Sequence, residues 1–149
     1  MTLETKKHEL FMMEALKEAK KAYEEDEIPV GAVIVRNNKV IARGYNQMET
    51  LNDATAHAEM IAITSAQNSL GSKYLNDCEL YVTLEPCMMC SGAIFLSKVK
   101  KVVYSLQDKE RGHLYKSKES INKRLVIIDN ILENDSKLLI NSFFEKIRK

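Results

Sequence analysis

Residues 80–93 have the sequence LYVTLEPCMMCSGA, in which one apolar run leads through a proline into another. The β-branched and aromatic residues within Cys78–Leu84 predict a strand. Pro86 then begins a helix, where its missing N–H has no cost, and this helix is expected to extend over Cys87–Ser97. Because the predicted helix is almost wholly apolar, we expect it to be buried.

The two thiols of this stretch are matched by an imidazole and a carboxylate in a second fragment, Thr55-Ala56-His57-Ala58-Glu59. Cys87 and Cys90 are three residues apart, so their side chains share one face of a helix. Both lie near its first turn, where the helix dipole stabilises the thiolates that bind metal. With His57 they make three zinc ligands, which leaves one tetrahedral position open, as in catalytic zinc sites. Glu59 is then free to move protons at that position.

A Cys-x-x-Cys pair alone also occurs in thioredoxin-like redox sites and in zinc ribbons. A redox pair would give no role to His57 and Glu59, and a ribbon needs a second Cys-x-x-Cys pair, which the sequence lacks. A closed structural site needs a fourth ligand, and Cys78 precedes Cys87 across a predicted strand, up to about 20–30 Å away. We therefore predict an open catalytic site and take Cys78 as a small core residue.

Composition indicates a single globular domain over residues 1–149. The hydrophobic share is 45% and the charged share 29%, which are ordinary values for a globular protein. No segment approaches the roughly 18 apolar residues of a membrane span, and the first residues do not resemble a signal peptide. Because two of the three cysteines lie in one pair, we expect no disulfide framework and a reducing, cytoplasmic location.

The net charge of +1 excludes a generally polycationic protein, so any contact with nucleic acid has to come from a local patch. Basic residues are clustered at four places along the chain, and each cluster is also compatible with an ordinary solvated surface. The clusters are Lys98/Lys100/Lys101, Lys116/Lys118, Lys123/Arg124 and Lys146/Arg148/Lys149.

Hydrophobic periodicity predicts the element order α-β-β-α-β-α-β-loop-β-α. A helix over residues 7–24 is followed by two strands, and the turn at Asn37-Asn38 joins them as a hairpin. Thr55 is expected to cap a helix that Gly71 stops, while the polar residues 47–54 are expected to form a loop. Five strands with helices on both sides predict a three-layer α/β/α domain. The remaining elements are strands at 78–84, 101–106 and 125–129 and helices at 87–97 and 134–149.

The chain resembles the bacterial tRNA-specific adenosine deaminases, members of the cytidine deaminase-like superfamily. The resemblance runs from Leu10 to Phe144, and its most specific parts are residues 28–33, Asn46, residues 55–59 and residues 80–93. The His-x-Glu and Pro-Cys-x-x-Cys pair is the signature of zinc deaminases. The Thr-Leu-Glu-Pro-Cys-x-Met-Cys form and the Phe-Phe pair of the last helix look more like the tRNA branch than the guanine or free-cytosine branches.

The resemblance implies a cytidine deaminase-like fold, three-layer α/β/α with a central five-stranded mixed sheet. It implies one zinc ion per subunit, held by His57, Cys87 and Cys90, with water in the fourth position and Glu59 as the catalytic proton carrier. The implied reaction is hydrolysis of the wobble adenosine of a tRNA anticodon loop to inosine, with release of ammonia. A loop base is already accessible, which lowers the cost of unstacking it.

The same resemblance implies which residues contact the substrate, and it implies a homodimer. Asn46 is expected to hydrogen-bond the flipped nucleoside and Asp108 to lie near the RNA backbone, while Ala58 and Pro86 are further candidates for substrate binding. The chain departs from the family pattern at Ala54, where a proline is usual, and over residues 109–124, which are divergent and shorter. This segment is expected to help form the RNA-facing rim.

Two alternative functions and the role of one aromatic residue remain open at this point. The protein could be a deaminase of a free base or nucleoside, such as guanine or cytosine. It could instead be an inactive deaminase-like module that binds RNA around a structural zinc, although an intact Glu59 argues against that. Tyr115, which lies among Arg111, Lys116 and Lys118, fits either base stacking with phosphate contact or an ordinary surface loop.

Overall fold

The computed structural model describes residues 1–120 and 122–148, and within them five strands form one mixed sheet. The strands are β1 (Gly31–Arg36), β2 (Lys39–Tyr45), β3 (Cys78–Leu84), β4 (Lys101–Leu106) and β5 (Val126–Ile128). Their order across the sheet is β2-β1-β3-β4-β5. Strand β1 is antiparallel to both of its neighbours, whereas β3, β4 and β5 are parallel to one another.

Six helices occur within the same described ranges, and four of them cover the two faces of this sheet. The six are α1 (Leu3–Glu24), α2 (Met48–Leu51), α3 (Ala58–Leu70), α4 (Met88–Ser97), α5 (Leu114–Ser120) and α6 (Glu133–Ile147). Helices α1 and α6 pack on one face, and α3 packs with α4 on the other. The predicted three-layer α/β/α architecture with a five-stranded mixed sheet is therefore confirmed.

Alternating side chains of β1 divide the core into two clusters, because neighbouring residues of a strand point to opposite faces. Ala32 and Ile34 belong to the cluster beneath α3 and α4, while Val33 and Val35 pack under α1. Full burial of such a side chain contributes about 1.5–3 kcal/mol for the larger aliphatic residues.

None of the helices in residues 1–120 and 122–148 is long and apolar enough to cross a lipid bilayer.

The predicted hairpin is present, with both turn residues in the left-handed conformation at φ 51° for Asn37 and 60° for Asn38. This is the geometry that a two-residue turn between twisted strands requires. The predicted stop of α3 is also present, because Gly71 follows the helix at φ 62°. The predicted cap is wrong. His57 occupies the N-cap position of α3, and the Thr55 hydroxyl donates to Asp53 instead.

Two segments expected to be loops contain short helices, α2 and α5. Helix α2 exists because the buried carboxylate of Glu27 accepts the N–H groups of Glu49 at 3.1 Å and Thr50 at 2.7 Å. Burial by itself raises the pKa of Glu27, but these hydrogen bonds and one from the Thr50 hydroxyl bring it below its ordinary value. The expected end of the last helix at Lys149 lies outside the described residues.

The expectation that α4 is buried throughout is wrong for one of its faces. Cys90 and Ile94 are fully buried, but Met88 is 68% exposed, Phe95 38% and Leu96 71%. These three side chains recur at helical spacing and form a stripe along the outside of the helix. Within the described residues no other element covers this stripe, so α4 carries more apolar surface than the core of one chain uses.

Gly44 allows α3 to approach β2 closely. A Cβ atom at this position would lie 2.5 Å from the Ala58 carbonyl oxygen and 2.8 Å from the Ala62 nitrogen. Both atoms belong to the backbone of α3 and cannot rotate away. The contact therefore fixes the distance between the sheet and the first turns of this helix.

We expect Gly44→Ala to lower the free energy of unfolding by about 1–3 kcal/mol, because the helix must shift to admit the methyl group. Urea denaturation followed by circular dichroism measures the change. Ser69→Ala, at an exposed position on the same helix, is the control and should stay within about 0.5 kcal/mol of the parent. Equal stability of Gly44→Ala and the parent would contradict the close packing.

Candidate metal centre and active site

The structure brings the three predicted metal ligands together. The Nδ1 atom of His57 lies 3.7 Å from the Cys87 sulfur and 3.5 Å from the Cys90 sulfur. A tetrahedral zinc ion with its usual bond lengths to nitrogen and sulfur holds such a pair of atoms about 3.6 Å apart. The donor atoms therefore already have the spacing that zinc requires, and all three lie within 4.8 Å of one another.

Two helix N-termini hold these ligands. His57 is the N-cap residue of α3, Cys87 is the N-cap residue of α4, and Cys90 lies in the first turn of α4. Helix α4 follows directly after β3, so the thiols stand at the carboxyl edge of the parallel part of the sheet. The positive ends of both helix dipoles face the site, and this favours thiolates.

The pKa values of the two thiols are shifted in opposite directions. A hydrogen bond from the Cys90 thiol and a second with His57 lower the pKa of Cys87 to about 3. The same hydrogen bond and burial raise the pKa of Cys90 well above its usual range. The bond to Cys87 raises the pKa of His57. Zinc binds thiolates, so metal binding has to displace the proton of Cys90.

Glu59 lies in the first turn of α3 and lines the same cavity as His57 and Cys87. It is only 4% exposed, and burial raises the pKa of its carboxyl group. The three donor atoms that form the ligand cluster do not include this carboxylate. Glu59 thus lies beside the ligand cluster without belonging to it, and its role as the proton carrier stays a prediction.

Asn46 is buried at the wall of the cavity, where its carboxamide both accepts and donates a hydrogen bond. Its oxygen accepts the N–H of Ala58 at 3.0 Å, and its nitrogen donates to the Ile28 carbonyl at 3.0 Å. These bonds hold the beginning of α3 in place. One N–H of the carboxamide remains for a ligand, and its use by the substrate stays a prediction.

Asp108 follows β4 at the same edge of the sheet and also lines the cavity. Its Oδ1 atom accepts the N–H groups of Glu110 at 3.1 Å and Arg111 at 3.0 Å, which folds the chain back over the opening. This turn brings Arg111 into the cavity lining. Ala58 and Pro86 lie beside the ligands in sequence but are not among the residues found to line this cavity.

Glu85 is a site residue that we did not predict. It is 7% exposed, lines the cavity and accepts the N–H of Asp108 at 3.2 Å. Gly112 packs so closely on this carboxylate that a side chain there would collide with it. Burial raises the pKa of Glu85. The available signal was an acidic residue directly after the predicted strand and directly before Pro-Cys.

The aromatic and basic residues of α5 are used largely within the fold. The Tyr115 hydroxyl donates to Asp129 at 2.9 Å, and its ring meets Tyr104 edge-on. Lys118 donates to the Leu125 carbonyl at 2.8 Å. Among Arg111, Tyr115, Lys116 and Lys118, Arg111 is the one that lines the cavity, as Asp108 also does.

The site geometry agrees with the match of residues 5–106 to the family model of the cytidine and deoxycytidylate deaminase zinc-binding region. The protein is thus a zinc-dependent deaminase by class. The tRNA-specific adenosine deaminase of Aquifex aeolicus (strain VF5) is 46% identical over 145 residues, which cover 94% of this chain and 95% of that protein. Within the class, the chain belongs to the tRNA-specific adenosine deaminases.

Two solved structures show how the fold is shared. One comes from studies of A-to-I editing by tRNA:A34 deaminases, with a TM-score of 0.82 and 39% identity over 87% of this chain and 97% of that chain. The guanine deaminase of Bacillus subtilis has a TM-score of 0.63 and 38% identity over 82% of this chain and 72% of that chain. The first structure therefore agrees with this chain over more of its length and more closely.

We expect Cys90→Ser to reduce the zinc content of the purified protein to well below half of that of the parent, because a hydroxyl is a poor ligand for zinc. Inductively coupled plasma mass spectrometry measures this content. Cys78→Ser is the matched control, since Cys78 is a free, buried cysteine outside the ligand cluster. Full zinc content in Cys90→Ser would contradict the ligand assignment.

Proposed function

We propose that the protein hydrolyses the wobble adenosine in the anticodon loop of a tRNA to inosine, with release of ammonia. In this proposal residues 1–149 form one deaminase domain that acts in the cytoplasm and holds one zinc ion per subunit. The observation that carries the proposal is the buried carboxylate of Glu59 in one cavity with an incomplete set of zinc ligands. The relatives named tRNA-specific adenosine deaminase support the choice of substrate.

His57, Cys87 and Cys90 would hold the zinc ion, which when bound supplies the Lewis acid that makes hydroxide from water near neutral pH. Glu59 accepts the proton that the attacking water loses. It returns that proton to the ring nitrogen next to the carbon under attack, then takes the remaining proton of the added hydroxyl group and passes it to the leaving amine. The C–N bond breaks, ammonia leaves, and a carbonyl group replaces the exocyclic amine.

The cavity walls suit a purine base. Ile28, Val30 and Leu84 give an apolar lining for the flat faces of the ring, and the free N–H of Asn46 offers a hydrogen-bond donor at the edge. The carboxylates of Glu59 and Glu85 and the carboxamide of Asn46 are buried, so the reaction would take place away from bulk water. A polar group held in such a site stabilises charge in the transition state more strongly than the same group does in water.

The opening of the cavity favours a polyanionic substrate over a free base. Arg111 lines the opening, and the turn closed by Asp108 fixes its backbone. An arginine at this position can contact a phosphate on either side of a base that has entered the cavity. A free base has no phosphate, so it would leave this cation without a partner from the substrate.

We further propose that the exposed stripe of α4, which consists of Met88, Phe95 and Leu96, is the centre of a homodimer interface. Apolar side chains exposed along one face of a helix indicate a partner surface. Gly92 lies within this stripe, and nothing else in the described structure approaches the position of its missing side chain within 4 Å. A second copy of α4 could therefore come close at this position.

We expect Glu59→Ala and Glu59→Gln to retain zinc but to lose activity on an anticodon stem-loop RNA by about 10²–10⁴-fold, because neither side chain can carry the proton. Inosine formation is measured by sequencing the product RNA. Glu24→Ala, an exposed carboxylate at the end of α1, is the control and should be as active as the parent.

Activity of Glu59→Gln equal to that of the parent would refute the mechanism. Absence of inosine with the parent protein would support an inactive RNA-binding module. Ammonia release from free guanine or cytosine, without any reaction on RNA, would support the free-base alternative.

We expect Leu96→Glu to convert the dimer into a monomer, because it would bury a carboxylate in an apolar interface. Sedimentation velocity measures the mass of the species in solution. Leu138→Glu is the matched control, since Leu138 is 69% exposed on α6 and lies outside the stripe. If Leu96→Glu sediments as the parent does, the α4 stripe is not the interface.

A further inference from the structure

A concave basic surface lies at the opposite edge of the sheet from the metal centre. We call it the basic groove, and it is formed where the chain enters the three parallel strands β3, β4 and β5. The metal ligands, by contrast, follow the carboxyl end of β3. Its main lining residues are Asn76, Lys98, Lys100, Asn122 and Arg124, and Phe95 forms the border between the groove and the proposed α4 interface.

The groove concentrates positive charge without compensation. Lys98, Lys100 and Arg124 line it, and its lining contains no acidic residue. Among the residues that the structure describes, none of these three cations forms an ion pair with a carboxylate. Asp77 lies next to the groove in sequence but pairs with Arg36 at 2.7 Å. The whole chain has a net charge of only +1, so this surface is a local excess.

The backbone beneath the groove is held by hydrogen bonds. The Lys100 N–H donates to the Cys78 carbonyl at 3.2 Å, and the Lys100 carbonyl accepts the Val126 N–H at 3.3 Å. The same residue thus joins the beginnings of three strands. The charges are therefore presented by a fixed surface and not by a flexible tail.

An exposed aromatic ring extends this surface. The ammonium groups of Lys73 and Lys98 lie 5.1 Å and 5.3 Å from the centre of the Tyr74 ring. Tyr74 is 41% exposed, and both lysines are also exposed. Rings placed among cations are typical of surfaces that bind nucleic acid strands.

Helix α4 connects the groove to the active site. It begins after the ligand Cys87 and ends at Lys98, which adopts the left-handed C-cap conformation at φ 61°. Ten helical residues rise about 15 Å. The groove therefore lies about 15 Å from the metal centre along the axis of this helix.

We propose that the basic groove binds the phosphodiester backbone of the RNA substrate, about 15 Å from the base that enters the metal cavity. This inference rests on the proposed function, because it takes an RNA as the molecule whose base enters the metal cavity. Charge complementarity selects the occupant, since three cations without acidic partners suit a row of phosphates. The contact is independent of sequence and adds affinity outside the cavity.

The test compares the triple variant Lys98→Ala/Lys100→Ala/Arg124→Ala with the triple variant Lys6→Ala/Lys20→Ala/Lys39→Ala. Both lose three positive charges from exposed positions, and the control residues lie on α1 and β2, away from the groove. Binding of full-length tRNA is measured by fluorescence anisotropy between 0.05 and 0.3 M KCl, and inosine formation is measured over a range of tRNA concentrations.

We expect the groove variant to bind tRNA at least tenfold more weakly than the control variant at about 0.1 M salt. Its slope of log K against log salt should fall by about two to three, because each lost phosphate contact removes about 0.7–0.9. Its KM for tRNA should rise by a similar factor, whereas kcat stays within twofold of the parent.

The inference is overturned if the two triple variants bind tRNA with equal affinity and equal salt dependence, because net charge would then explain the whole effect. It is also overturned if kcat falls while KM is unchanged. In either case inosine formation at saturating tRNA leaves the proposed function intact. If the parent forms no inosine at all, the proposed function fails, and the inference fails with it.

Discussion

The convergence of two helix N-termini at one edge of the sheet is the constraint on which the rest of this structure depends. The donor atoms come from α3 and α4, which belong to different parts of the chain, and their spacing matches that of a tetrahedral zinc ion. That spacing holds only if α3 approaches β2 closely at Gly44 and α4 follows directly from β3. The sheet thus positions both helices and thereby sets the distance between the imidazole and the thiols.

The substrate side of the site is tied to the same element. Glu85 stands two residues before Cys87 and accepts the N–H of Asp108, which in turn folds the segment that carries Arg111. On the other wall, Asn46 binds the first turn of α3. The groups that would hold the nucleotide are therefore connected by single hydrogen bonds to the elements that hold the ligands. A displacement of one cavity wall would therefore also displace the metal ligands.

Local patterns predicted most of this fold and the three residues that meet in the His-Cys-Cys cluster, because their information lies in neighbouring residues. The Asn37-Asn38 turn, the strand before Pro86 and the two-residue gap between the thiols are examples. Features that depend on distant partners were missed. Glu27 caps α2 from 22 residues before Glu49, and Glu85 meets Asp108 only after β3 and β4 have paired. The exposed stripe of α4 was misjudged because apolar composition alone does not separate a core from an interface.

The position of β3 has a consequence for incomplete chains. All three ligands are present by residue 90, but the parallel partner of β3 begins only at Lys101. A polypeptide released between these points would possess every donor atom and still expose the long, apolar edge of a strand that is otherwise buried. Such edges recruit strands from other molecules. Premature termination or proteolytic nicking in this interval should therefore yield insoluble aggregates and not a small metal-binding fragment.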